Sequence, residues 1–188
     1  MPCAETISAF SYTFSTCQPD LNFTVSGGTL KNMKNFIYIL LLFAIPACSE
    51  TISARVSYVY DGDTVTLTSE KTKTKIRLYG IDAPEIAQPY GKESRNHLRK
   101  KILYKNVEVK VNGKDRYKRT IGTIFLDGEN INLWMIKSGF AWHYKQYCKD
   151  KVFAIAERNA KNKKIEMWKT DNLQRPDLFR KDKRRKQR

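Results

Sequence analysis

The sequence has few of the side chains that bind soft metals. Its 188 residues include four cysteines (Cys3, Cys17, Cys48, Cys148) and two histidines (His97, His143). No pair of cysteines has Cys-x-x-Cys spacing, which argues against a zinc site. It argues against a disulfide framework that only Cys148 falls within the stretch that reads as a folded domain. Acidic residues are also scarce, at 19 against 35 basic ones, for a net charge of +16. Residues 1–49 are neutral, with Lys31 and Lys34 balancing Glu5 and Asp20, so the whole excess lies beyond them. A small domain this basic is expected to associate with polyanions, either nucleic acid or an anionic membrane surface. Charge narrows the partner but says nothing about chemistry.

Long apolar runs are nearly missing too. The twelve residues 36–47 form one, short of the ~20 that a membrane-spanning helix needs. Met33, Lys34 and Asn35 precede it and small residues follow, which is the pattern of a secretory signal peptide. Residues 1–32, rich in Ser, Thr and Asn, have no clear period and are expected to be unstructured. Because the signal starts at Met33, the true translation start is placed there as one reading, with 1–32 upstream of it. Residues 33–49 would then be the signal, with cleavage after Ala47 or Ser49, and the product is expected to be exported, whether secreted or periplasmic. The alternatives are a retained membrane anchor, or lipid attached at Cys48, since Ile45-Pro46-Ala47-Cys48 resembles a bacterial lipobox. Membrane contact is expected only in those two cases.

The informative stretch runs from residue 56 to residue 85. Val65 and Leu67 alternate with Thr64, Thr66 and Thr68, the period of a half-buried strand. Ile76 and Leu78 alternate with Lys75, Arg77 and Tyr79 in the same way. The polar run 69–74 between them makes a hairpin, whose two open ends must meet. Asp63 enters the first strand and Asp82 leaves the second, so both carboxylates fall at that end. Arg77 faces away from the Ile76 and Leu78 side, and Glu85 follows Asp82 by a short turn that Pro84 stiffens. Clustered carboxylate oxygens suit Ca²⁺ or Mg²⁺, and an arginine beside them suits a phosphate.

Asp61-Gly62-Asp63-Thr64-Val65, Ile76-Arg77-Leu78 and Gly80-Ile81-Asp82-Ala83-Pro84-Glu85 together resemble the staphylococcal nuclease family. The likeness continues through Gln88-Pro89-Tyr90-Gly91, Asp115-Arg116-Tyr117-Lys118-Arg119, Gly139-Phe140-Ala141 and Trp168, covering roughly residues 52–172. It implies a five-stranded OB-type barrel and hydrolysis of phosphodiester bonds in DNA, RNA or both, with low sequence specificity. It implies Ca²⁺ as the metal, held by Asp63, Asp82 and the backbone carbonyl of Ala83. Glu85 becomes the candidate general base. Arg77 and Arg119 become the phosphate-gripping pair, their forked donors better suited than a lysine's point charge. Arg116 and Tyr117 match positions beside the nucleotide. Tyrosines near Tyr144 and Tyr147 could stack on a base or be ordinary, partly buried aromatics. No obligate protein partner is implied. Two departures stand out: alanine at 83, where the family often has threonine, and Lys118, where it usually has glycine. If the backbone there needs a positive φ, lysine strains it.

The remaining pattern completes an α+β chain. A first strand is expected over 52–60, a helix over 92–103, strands over 107–111 and 119–126, and a turn at Asp127-Gly128. A short helix over 131–138 closes at Gly139, and a third helix, capped by Asp150, runs to about 165 with Phe153, Ala156 and Ala160 inward. The domain is placed at 50–172, with about three helices outside the barrel. The basic tail 173–188 follows. Its last nine residues hold seven basic side chains and one acid, a block that usually stays disordered, adding phosphate affinity and no catalysis.

Each piece also has a blander reading. Asp61-Gly62-Asp63 makes a tight turn with side-chain hydrogen bonds, Arg77 a solvated charge and residues 82–85 a loop. His97 and His143 read as surface or packing residues, and Trp134, Trp142 and Trp168 as core or core edge. The joint occurrence favours an enzyme; the alternative is a catalytically inactive OB-fold module that binds nucleic acid.

Overall fold

The computed structural model describes residues 51–70 and 72–187. The readings of a signal segment, an upstream leader and lipid at Cys48 lie outside the described residues.

Alternation builds the barrel. Strands β1 (Thr51–Val59), β2 (Thr64–Thr68) and β3 (Lys73–Leu78) form an antiparallel meander, with Val65 opposite Ile76 and Thr64 opposite Arg77. A register shift between Val56 and Tyr58 inserts a bulge in β1. That extra residue lets Val56 and Val59, three positions apart, both turn inward. A two-residue strand β4 (Ile81–Asp82) follows, then helix α1 (Gly91–Ile102), β5 (Asn106–Lys114), β6 (Thr120–Leu126) and β7 (Glu129–Asn130). β5 pairs with β1 and β6 antiparallel, and β6 closes on β3 in parallel, Ile76 opposite Thr120. The closed circuit β1–β2–β3–β6–β5 is the expected five-stranded OB-type barrel. Val56, Val65, Leu67, Ile76, Val109 and Ile124 fill it with almost no exposure.

Helices cover the barrel with the faces the sequence pattern marks. α1 buries Leu98 and Ile102, and α2 (Ile131–Lys137) buries Ile131, Met135 and Ile136. Gly139 follows α2 at φ +72, in the C′ position. Strand β8 (Trp142–His143) then pairs with β4, Asp82 opposite Trp142. α3 (Lys151–Asn162) is capped by the Asp150 side chain and buries Phe153, Ala156 and Ala160. It ends three residues short of the expected limit at 165, and Lys164 and Glu166 then take positive φ in the turn to a 3₁₀ segment, Glu166–Lys169.

One expectation is corrected. The basic end is not a disordered run: Pro176–Lys186 forms a fourth helix among the described residues, α4. Pro176 supplies the start signal, since a proline at the first helical position loses no intrahelical hydrogen bond. The charge run hid it.

Candidate active site

The two ends of the β2–β3 hairpin meet as the alternation requires. Asp63 and Asp82 are 1% and 2% exposed, and both reach one guanidinium. Arg77 Nη1 pairs with Asp63 Oδ1, and Arg77 Nη2 donates to Asp82 Oδ1 at 2.7 Å. Buried carboxylates persist only when charge and lone pairs are matched. Here the Thr64 hydroxyl donates to Asp63 Oδ1 at 3.0 Å and the Ala83 N–H to Asp63 Oδ2 at 2.7 Å. Burial lowers the pKa of Arg77, against the opposing pull of Asp82 and Asp61.

Backbone pairing fixes each carboxylate. Asp82 sits on β4, pinned by β8, which gives the Gly139-Phe140-Ala141 segment its place: it leads into the strand that holds Asp82. The carbonyl of Phe140 accepts the Ser94 hydroxyl at 2.8 Å, tying this segment to α1. Gly62 packs between Ser94 and Ala83 so closely that a Cβ there would lie 2.7 Å from the Ala83 methyl.

Glu85 stands one turn away, 36% exposed at its side chain and outside the Arg77 cluster. Gln88 shapes its turn, with Oε1 accepting the Glu85 N–H at 2.9 Å. Glu85 is joined to Asp82 through a residue that sequence reasoning placed outside the chemistry. Arg180 of α4 donates from Nη1 to Glu85 Oε1 at 2.7 Å, and from Nη2 to Asp82 Oδ1 and Oδ2 at 3.1 and 2.9 Å.

Arg119 enters from the parallel closure. It precedes Thr120, which pairs with Ile76, one residue from Arg77. Its Nε donates to Asp115 Oδ2 at 2.6 Å, so its observed hydrogen bonds run to Asp115 and not to the carboxylates of the hairpin. Its positive charge is nevertheless felt at Asp61 and Arg77. Tyr117 is exposed at the same hairpin tip, with the Arg116 and Arg119 guanidinium carbons 4.9 and 5.7 Å from its ring centre. Lys118 has φ 61, the left-handed conformation that the family's glycine would suit.

Asp61 is a fourth carboxylate that sequence reasoning left without a role. Its Oδ1 accepts the Asp63 N–H at 3.0 Å, the turn bond of the blander reading. Burial pushes its pKa up, against the charge of Arg77 and a hydrogen bond with Thr64. Asp-Gly-Asp is therefore at once a side-chain-bonded turn and part of an acidic cluster. Tyr144 lies near enough for Asp82 to help raise its pKa, with burial the larger cause. Tyr147 meets it edge-on at 4.8 Å. The histidines pack: His97 stacks on Trp134 at 4.2 Å, and the buried His143 bonds through Nε2 to the Cys148 carbonyl.

Among the described residues, no three His, Cys, Asp or Glu side chains form a metal-holding group. The donor set expected for calcium needs only two, Asp63 and Asp82, with the Ala83 carbonyl and water. Those two carboxylates flank one guanidinium, and all the donors are hard oxygens, so the residues fit a calcium-type cation in kind.

The family model described as staphylococcal nuclease homologue matches residues 75–170. A relative from Haemophilus influenzae, named an uncharacterized endonuclease, is 42% identical over 145 residues, covering 76% of this chain and 82% of its own. An Escherichia coli O157:H7 protein of the same name is 36% identical over 138 residues, 72% of this chain and 90% of its own. Staphylococcal-like nuclease CAN1 of Arabidopsis thaliana is 41% identical over 112 residues, 60% of this chain and 35% of its own. The chain belongs to the staphylococcal nuclease homologue family. Arg77, Asp82, Ala83, Glu85 and Arg119 lie within the matched stretch, whereas Asp63 and Arg180 lie outside it.

Proposed function

We propose that the chain is a nuclease: an exported, calcium-dependent phosphodiesterase that cuts DNA, RNA or both with little regard for sequence. The observation that carries the reading is the joining of Asp63 and Asp82 through Arg77, with Glu85 one turn on. Nuclease names among relatives at 42% and 36% identity support the activity.

Asp63, Asp82 and the Ala83 carbonyl would hold the cation, which when bound supplies a Lewis acid to polarise a phosphoryl oxygen. Arg77 offers its planar fork to the non-bridging oxygens, where negative charge grows in the transition state. Arg119, released from Asp115 or sharing it, would grip the same phosphate from the neighbouring strand. Glu85 would take the proton of an attacking water at its carboxylate. Arg116 and Tyr117, at the exposed hairpin tip, would lie along the nucleotide.

A single observation favours the alternative of an inactive nucleic-acid-binding module. Arg180 occupies both oxygens of Asp82 and one of Glu85. Plasmid digestion with and without a calcium chelator separates the two readings. Cleavage that needs calcium and is lost in Glu85→Gln, Arg77→Lys and Arg119→Lys, with DNA binding kept in Glu85→Gln, is the expected result. No cleavage by the native chain leaves only the binding module, and near-normal cleavage by all three variants takes these roles away from Glu85, Arg77 and Arg119. Export rests on Lys34 and the apolar run 36–47; N-terminal sequencing of the exported chain should begin between residues 48 and 50.

A further inference from the structure

The last helix is seated on the Glu85 turn. Gln88, whose Oε1 holds the Glu85 N–H, donates from Nε2 to the Gln174 carbonyl at 3.1 Å. Gln174 in turn donates to Asp182 Oδ2 at 2.6 Å, and Pro176 is buried. One side chain therefore links the approach to α4 with the candidate base. Beside this seat runs a cleft of about 360 Å³, lined by Glu85, Ile86, Ala87, Phe179 and Arg180 among others.

We propose that Arg180 is an internal counter-cation that competes with the divalent cation for Asp82, making α4 a displaceable clasp on the acidic side of the site. The inference rests on the metal-dependent reading above. Asp82 Oδ1 accepts from both Arg77 and Arg180, and Oδ2 accepts from Arg180. Arg77 and Arg180 take up three of the four lone-pair sites of Asp82, so a cation bonded directly to it has one left on Oδ2, beside Arg180, and it repels a guanidinium at that distance. One of the two arginines has to yield. Arg77 is 15% exposed and rooted in the barrel, while Arg180 is 32% exposed on α4, outside the barrel strands. Arg180 is the one that yields. Burial alone would lower its pKa, but Asp82 and Glu85 more than reverse this, so it stays a full positive charge in that place. Arginine also fits by shape, because one planar fork reaches two carboxylates where lysine offers a point charge.

The test is calorimetric titration of the full-length chain with calcium chloride, without nucleic acid, for wild type, Arg180→Ala and Arg180→Lys. Arg180→Ala should bind calcium about tenfold more tightly, because a charge-assisted competitor is gone. Arg180→Lys should fall between. In wild type, saturating calcium should speed amide exchange over residues 176–186 by loosening the clasp. Equal or weaker calcium affinity in Arg180→Ala overturns the proposal and leaves the nuclease reading intact. An absence of calcium binding by both wild type and Arg180→Ala overturns the proposal and the calcium reading together. If Arg180→Ala does not fold, the exchange measurement on the native chain decides, and unchanged protection of residues 176–186 overturns the proposal.

Discussion

Asp115 holds Arg119 by two of its atoms: Oδ1 accepts the Arg119 backbone N–H at 2.9 Å and Oδ2 accepts the guanidinium Nε–H at 2.6 Å. The same Oδ1 takes the Tyr117 N–H at 2.8 Å, so a single carboxylate organises the hairpin tip that carries Arg119, the second arginine proposed to grip the phosphate. Burial alone would raise the Asp115 pKa, but its bonds from Arg119 bring it below the ordinary carboxylate value.

Asp115→Asn separates orientation from folding. Asparagine keeps an oxygen for the two backbone N–H groups and withdraws the charged acceptor from Nε. Cleavage efficiency is expected to fall about tenfold or more, since a mispositioned binding group weakens transition-state contacts. The pH dependence has a definite sign. A carboxyl with a depressed folded pKa stabilises the chain above its unfolded pKa, and that contribution is lost as pH falls through the folded value. The stability gap between wild type and Asp115→Asn should therefore be constant near neutrality and close only in acid, below the ordinary Asp pKa of 3.8. Urea denaturation across a pH series measures it, and a gap that widened in acid would contradict the pairing.

Lys118 tests backbone strain at the same tip. Its φ of 61 puts a side chain where Cβ crowds the backbone. Lys118→Gly should stabilise the domain by about 0.5–1 kcal/mol, the left-handed penalty slightly exceeding the extra entropy of an unfolded glycine. Lys118→Val should destabilise it, because branching at Cβ is least compatible with positive φ. Chemical denaturation of the two variants checks the order, and a destabilising Lys118→Gly would show the strain to be negligible.

The barrel was legible because Val65, Leu67, Ile76, Leu78, Val107 and Val109 alternate cleanly, and alternation fixes which face is buried. The convergence of Asp63, Arg77 and Asp82 followed from hairpin geometry alone. The parallel β3–β6 closure did not, since nothing local links Ile76 to Thr120. Arg180 was illegible for a similar reason: its partners are 95 and 98 residues away, and a run of positive charge gives no period to read.

Asn132 is a second such case. Within α2 it looks like any polar helical residue, yet it is fully buried and bonds three backbone groups. Its Nδ2 donates to the Tyr79 and Gly122 carbonyls, and its Oδ1 accepts the Ile124 N–H. It pegs α2 to the closure of β3 on β6. Asn132→Ala takes the amide from the Tyr79 carbonyl and the Ile124 N–H in the interior, while the Gly122 carbonyl keeps the Tyr79 N–H, and should cost about 3 kcal/mol. Thermal and urea unfolding should agree on this, and a loss below about 1 kcal/mol would mean that water replaces the amide.

Gly91 offers the sharpest test of Glu85, because it acts on the proposed base without touching its carboxyl. It opens α1 directly against the Glu85 turn, and a Cβ there would collide with the Glu85 carbonyl oxygen. It would also lie 2.7 Å from the Glu85 carbonyl carbon and 2.8 Å from the Ile86 Cα. These are backbone atoms, so no side-chain rotation relieves the clash and the turn itself has to move. Asp63, Arg77 and Asp82 are held by backbone pairing and by one another, and only Arg180 joins Asp82 to the Glu85 side chain. Gly91→Ala should therefore keep calcium and DNA affinity within about threefold while lowering turnover about tenfold or more, as expected when a proton acceptor leaves hydrogen-bond reach of the reacting water. Single-turnover cleavage at saturating DNA and calcium reads the chemical step directly. A normal rate in a folded Gly91→Ala chain would remove Glu85 from the role of base, whereas equal losses in binding and turnover would show that the Glu85 turn supports the whole site.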